Sequence, residues 1–118
     1  MTRKSPSVMG FFKESDGPET LVSRVHADPA GLYVHLPSHL RNRLEVVVGN
    51  RLEVLLEQVL SGADIPREIH AHALLEVTGY WHELYLPDEV VTRYGIRCHD
   101  LLQMTLCRIH QHGRIYDV

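Results

Sequence analysis

The sequence predicts a mainly β fold with short helices, in which two copies of one strand–helix–strand unit close a single core as an intrachain pseudo-dimer. Three observations carry this. Placing Pro37 over Pro87, an offset of 50 residues, runs the two halves of the chain together without a gap. In each half, apolar residues alternate with period two on both sides of a short stretch whose apolar residues sit four apart. The chain has 118 residues, and a unit of roughly 40 residues buries too little surface to stand alone, so two such units must share a core.

The repeat is seen first in identities: Leu36-Pro37 falls on Leu86-Pro87, Arg43 on Arg93, Leu52 on Leu102 and Leu56 on Leu106. Apolar character matches where identity does not, in Val34 with Leu84, Leu40 with Val90, Leu44 with Tyr94, Val46 with Ile96, Val54 with Met104 and Val59 with Ile109. An accidental match does not hold one apolar pattern through three successive elements.

The elements follow in order. A first strand is expected near Ser23–Ala27 and, in the second copy, near Leu74–Val77. Asp28-Pro29-Ala30-Gly31 and Thr78-Gly79-Tyr80-Trp81 supply the reversals. The second strand alternates Leu32, Val34 and Leu36 with Tyr33 and His35, and its counterpart alternates Leu84 and Leu86 with Glu83 and Tyr85. Proline then opens a short helix, since at a helix start it forfeits no needed N–H and presets φ. Asp88 and Glu89 suit the positive end of the second helix, and Gly95 supplies its left-handed stop, where the first copy has Glu45. Turns at Gly49-Asn50 and His99-Asp100 lead into the last strands, in which Leu52, Val54 and Leu56 alternate with Arg51, Glu53 and Leu55.

The expected organisation is a mobile tail over residues 1–20, a first repeat over 21–60, a linker over 61–71, and a second repeat with its C-terminal tail over 72–118. Phe11 and Phe12 stand out in the N-terminal tail as groups that could dock on the body or on a partner. Ile115 marks an added strand in the C-terminal one. No apolar run reaches the ~18–20 residues of a membrane helix, and no apolar segment follows the basic start as in a secretory signal. A cytoplasmic protein with no membrane partner is expected. Its two cysteines, Cys98 and Cys107, form no CxxC pair and read as reduced thiols.

These elements resemble the AbrB/SpoVT family, which includes AbrB-like transition-state regulators, MazE- and VapB-type antitoxins and MraZ. The first copy matches through Leu36-Pro37-Ser38-His39-Leu40-Arg41, Val46 and Gly49-Asn50-Arg51-Leu52-Glu53-Val54. The second matches through Leu86-Pro87-Asp88-Glu89-Val90-Val91, Tyr94-Gly95-Ile96 and His99-Asp100-Leu101-Leu102. MraZ also carries two copies per chain, but its Asp-x-x-x-Arg signature is missing from the first copy here and one residue too long in the second, Asp88 to Arg93. The resemblance covers residues 22–60 and 72–109. It implies a duplicated swapped-hairpin barrel, homo-oligomeric, that binds double-stranded DNA through basic residues of the first loop and the short helix.

Carried over residue by residue, the DNA-binding set is Arg24, Arg41, Asn42 and Arg43. In the second copy the equivalents are Leu74, Val91 and Thr92, with only Arg93 kept. The net charge is −3, so any phosphate contacts must come from basic residues gathered on one face. The function implied is a DNA-binding transcriptional regulator or antitoxin-like protein. The alternative is a protein–protein assembly or adaptor domain that kept the barrel and lost DNA binding, with Tyr80 and Trp81 as the anchors for a protein partner.

No GxSxG, P-loop or Gly-rich dinucleotide turn is present, so no catalytic residue is assigned and the protein is read as a non-enzyme. His70-Ala71-His72 and His110-Gln111-His112 have the spacing that puts a pair on one strand face. Such a pair needs a third ligand, such as Cys98, Cys107 or Glu76, before it holds a metal. Without CxxC or HExxH these read as exposed histidines, and no metal or cofactor is assigned.

Overall fold

Two Leu-Pro dipeptides each end a strand and start a helix. Pro37 (φ −57°) precedes α1 (Ser38–Leu44), and Pro87 (φ −61°) precedes α2 (Asp88–Tyr94). The computed structural model describes residues 19–118. The remaining elements are β1 (Glu19–Arg24), β2 (His26–Asp28), β3 (Gly31–His35), β4 (Arg51–Leu60), β5 (Arg67–Thr78), β6 (Glu83–Tyr85), β7 (Leu101–Gln111) and β8 (Arg114–Asp117). Each helix buries its i, i+4 stripe, Leu40 with Leu44 and Val90 with Tyr94. Each stops at a left-handed residue, Glu45 (φ 53°) or Gly95 (φ 63°), beyond which Val46 N donates to Arg41 O at 3.0 Å and Ile96 N to Val91 O at 3.1 Å.

The strands form one antiparallel sheet in the order β1-β7-β4-β5-β6-β3-β2, with β8 on the free part of β7. β1 and β2 abut at Val25, so both ends of that order belong to one stretch of chain and the sheet curls into a barrel-like shape. Inside it lie Leu52, Val54, Leu56, Leu102, Met104 and Leu106 from β4 and β7, covered by Val25, Val34, Leu75, Val77 and Leu84. Burying each such side chain stabilises by about 1.5–3 kcal/mol.

The pairing register has an internal symmetry. Adding 50 to a β4 residue and subtracting 50 from its β7 partner returns another observed pair: Leu52↔Ile109 becomes Val59↔Leu102, and Leu55↔Thr105 becomes itself. Val34↔Leu84, joining β3 to β6, also maps to itself. Each long strand leaves one residue unpaired at a bulge, Glu57 in β4 and Cys107 in β7, again 50 apart.

On the first strands the offset becomes 52. Val25 bonds the His99-Asp100 turn, its N–H donating to Asp100 O at 2.8 Å and its carbonyl accepting from His99 N at 2.7 Å. Val77 does the same with Asn50 O at 2.8 Å and Gly49 N at 2.9 Å. The first hairpin is two residues longer than the second. The counterpart of Arg24 is therefore Glu76, which corrects the expectation of Leu74.

Two boundaries also differ from expectation. Strand β5 begins at Arg67, so the linker closes at residue 66 rather than 71. Ile69, Ala71, Ala73, Leu75 and Val77 form its inward face, and two alanines carry little apolar signal. Strand β1 begins at Glu19, inside the expected tail, because Thr20 Oγ1 bonds Thr105 Oγ1 at 3.0 Å across 85 residues of sequence. The C-terminal segment is strand β8 through Ile115, as expected. Phe11 and Phe12 lie outside the described residues.

Candidate functional site

The first helix and the second hairpin turn meet. Arg41, on α1, donates from Nη1 to His82 Nδ1 at 3.3 Å, and His82 belongs to the β5–β6 turn. A guanidinium cannot accept, so the imidazole nitrogen facing it is the unprotonated one. The Nε of Arg41 is buried with no hydrogen-bond partner.

The turn is sharp because Gly79 has φ +74° and the Glu83 carboxylate folds over it; a Cβ at Gly79 would lie 1.7 Å from Glu83 Oε1. Tyr80 and Trp81 project from it, 86% and 64% exposed, their rings edge to face at 5.1 Å. The Trp81 carbonyl lies 3.4 Å from His35 Nδ1. Between turn and helix runs an open groove of 470 Å³, lined by His35, Leu36, Pro37, Ser38, Arg41 and Trp81.

The other arginines do not join this groove. Arg43 Nη2 pairs with Glu19 Oε1 at 2.7 Å, a half-exposed contact worth about 0–1 kcal/mol. Arg24 sits at the opposite end of β1, five residues or about 17 Å along the strand, and donates to His99 O at 2.8 Å. Asn42 is exposed on α1. Of the four residues expected to bind DNA only Arg41 lines the groove, where it meets Trp81, expected as a partner anchor.

Alternation along β3 turns Val34 into the core and Tyr33 and His35 outward. Pairing with β2 and β6 sets His26 and Tyr85 beside them. Ring centroids lie 5.6 Å apart for His26–Tyr33, 5.0 Å for His26–His35, 5.3 Å for Tyr33–His35 and 5.2 Å for Tyr33–Tyr85. All four rings are half-buried, and His35 links them to the Trp81 groove. Sequence reasoning missed this face, although its signal was the period-two set opposite the core positions. Asp28 accepts from the Tyr85 hydroxyl and from the N–H groups of Ala30 (2.8 Å) and Gly31 (3.2 Å). The Tyr85 bond, chiefly, holds Asp28 below the usual carboxylate range and pushes Tyr85 up to about 12.

Outside this region, Glu53 accepts from His110 Nε2 at 2.6 Å and from Arg108 Nε at 3.2 Å. The His110 bond holds its carboxyl below the usual range. His70 and His72 are both exposed on β5, whereas His112 lies in the β7–β8 turn, apart from His110. Among the described residues no three His, Cys, Asp or Glu side chains converge to hold a metal ion, and no helix is long and apolar enough to cross a membrane.

No protein-family model matches the chain. No curated protein matches it either. Among solved structures it is similar to the solution structure of PHS018 from Pyrococcus horikoshii, with a TM-score of 0.60 and 16% identity over 88% of this chain and 98% of that one. The likeness is one of fold. It supports a mainly β, barrel-like architecture for the chain.

Proposed function

We propose that the chain is a duplicated AbrB-like, swapped-hairpin barrel that acts as a non-enzymatic DNA-binding regulator. The duplication reading is supported by a register that repeats under the 50-residue shift, with the bulges at Glu57 and Cys107 as its most specific element. The swapped-hairpin reading is supported by β3 pairing with β6, which joins the two halves at Val34 and Leu84. The functional reading rests on one observation: Arg41 from the first half and Trp81 from the second share a groove that continues onto a face of four more aromatic rings. Cation and rings side by side suit a ligand with phosphates and bases. The contact set this implies is narrower than the sequence suggested, with Arg41 and Asn42 kept, Arg43 tied to Glu19 and Arg24 remote. Such a regulator would work in the cytoplasm as a homo-oligomer, gaining contacts by repetition.

A second reading, an assembly or adaptor domain, is favoured by the exposure of Tyr80 and Trp81, which would serve as the anchor for a protein partner. The deciding experiment is binding to mixed genomic DNA fragments at ~50 and ~200 mM salt, with the Arg41→Ala/Arg43→Ala double variant alongside. Trp81 is the only tryptophan, so its emission reports on the groove directly. Binding that weakens with salt and falls at least about tenfold in the variant is expected, a loss of about 1.4 kcal/mol. No binding at the lower salt refutes the regulator and leaves the adaptor.

A further inference from the structure

We infer that the groove and the ring face together take an unpaired nucleotide, its base stacked on the rings and its phosphate on Arg41. This rests on the reading that the chain binds nucleic acid, and it departs from duplex recognition by a helix in the major groove.

The first argument is the kind of surface offered. Tyr80, Trp81, His35, His26, Tyr33 and Tyr85 form a run of rings on the outer side of β2, β3 and β6 and on the adjoining turn. Rings contribute by stacking on base faces, and those faces are covered by neighbouring pairs in a duplex and free only in an unpaired strand or a nucleotide. The groove volume of 470 Å³ lies within the ~300–1,000 Å³ of small-ligand sites.

The second argument is charge. Of the carboxylates beside the rings, Asp28 is held by three donors within the protein, and Glu83 lies over Gly79. Among the described residues, no carboxylate pairs with Arg41; its one hydrogen-bond partner is a neutral imidazole nitrogen, and its Nε has none. The groove therefore presents a cation uncompensated by its neighbours, beside an indole 64% exposed. A phosphate attached to a stacking base matches both features at once.

The third argument is what the surface lacks. A duplex clamp needs many cations on one face. Here α1 directs one arginine to the groove, and Arg43 and Arg24 are engaged elsewhere. Salt dependence should accordingly be shallow, with a slope of log affinity on log salt near −1, as for one or two phosphates at ~0.7 each.

The test compares a labelled mixed-sequence DNA strand of about 10 nucleotides with the same strand annealed to its complement, reading anisotropy and Trp81 emission in the full chain. The single strand should bind at least about tenfold tighter than the duplex and quench Trp81. Trp81→Ala and Tyr33→Ala should each weaken it by about 5- to 150-fold, the range for loss of one stacked base. Arg41→Gln should flatten the salt slope by about 0.7. Trp81 is exposed, so a melting curve unchanged in Trp81→Ala shows the loss to be one of contact. Competition by a nucleoside monophosphate mixture assigns the site to free nucleotides, and its absence, with the strand bound, to the strand; either supports the inference. Duplex binding equal to or tighter than single-strand binding overturns the inference and leaves the DNA-binding reading standing. Binding of neither overturns both. Single-strand binding unaffected by Trp81→Ala, Tyr33→Ala and Arg41→Gln overturns the site.

Discussion

If the two halves share one sheet, they must unfold together. The pairs β3–β6, β1–β7 and β5–β4 each join one half to the other, so neither half keeps its sheet without the other. Consider Leu52→Ala and its counterpart Leu102→Ala, made separately. Both leucines are fully buried; Leu52 lies opposite Leu75 and Ile109, and Leu102 opposite Ser23 and Val59. Truncating such a leucine costs about 2–5 kcal/mol. Roughly a hundred ordered residues carry an unfolding entropy near 0.2 kcal/mol/K, so each variant should lower Tm by about 10–25 °C. The same size predicts a calorimetric enthalpy near 70 kcal/mol around 60 °C. For one cooperative unit the van 't Hoff enthalpy equals it. Independent halves would instead give a van 't Hoff enthalpy near half that value, and each variant would shift one transition and leave the other in place. That result would refute the interlocked sheet.

The remaining predictions are local. Tyr85 should titrate at about 12, read from tyrosinate absorbance, and Asp28→Asn should bring its midpoint back toward 10. The folded value is raised, so the stabilisation is complete below pH 10 and is lost as pH rises through about 12; for Asp28, whose value is lowered, it is complete above 3.8 and lost as pH falls below that. A Tyr85 midpoint unchanged by Asp28→Asn would break this assignment. Glu45 holds a left-handed conformation at φ 53°, where the second helix has Gly95, so Glu45→Gly should stabilise the protein by about 1 kcal/mol in urea melts. A destabilised variant would mean that the Glu45 side chain contributes more than its backbone strain costs.

Most strands, both helices and all turns but the one at His112-Gly113 were legible because local rules and tertiary demands agree at them. Alternation in Leu32–Leu36 and Leu52–Leu56, the prolines at 37 and 87, and Gly95 as a cap all encode their structure within a few residues. What escaped is set by distant partners. Glu19 and Thr20 carry no strand signal, and their place is fixed by Arg43 and Thr105. Ile69–Ala73 alternates correctly, but alanine is too small to register as apolar. The site was half visible for the same reason. Arg41 and Trp81 each stood out by type, while their meeting depends on one half's helix packing against the other half's turn, which no local pattern contains.

That crossing explains why the two halves need not present the same surface. Fifty residues on from His35, Ser38 and Arg41 stand Tyr85, Asp88 and Val91, and the first hairpin turn carries Pro29 and Ala30 where the second has Tyr80 and Trp81. The Tyr85 hydroxyl donates to Asp28, and the negatively charged Asp88 stands where the first half has Ser38. A symmetric dimer of identical units would present the same groove twice. With both halves in one chain, one side gathers a cation and exposed rings at the Arg41–Trp81 groove while Asp28 and Tyr85 tie the first hairpin turn to β6.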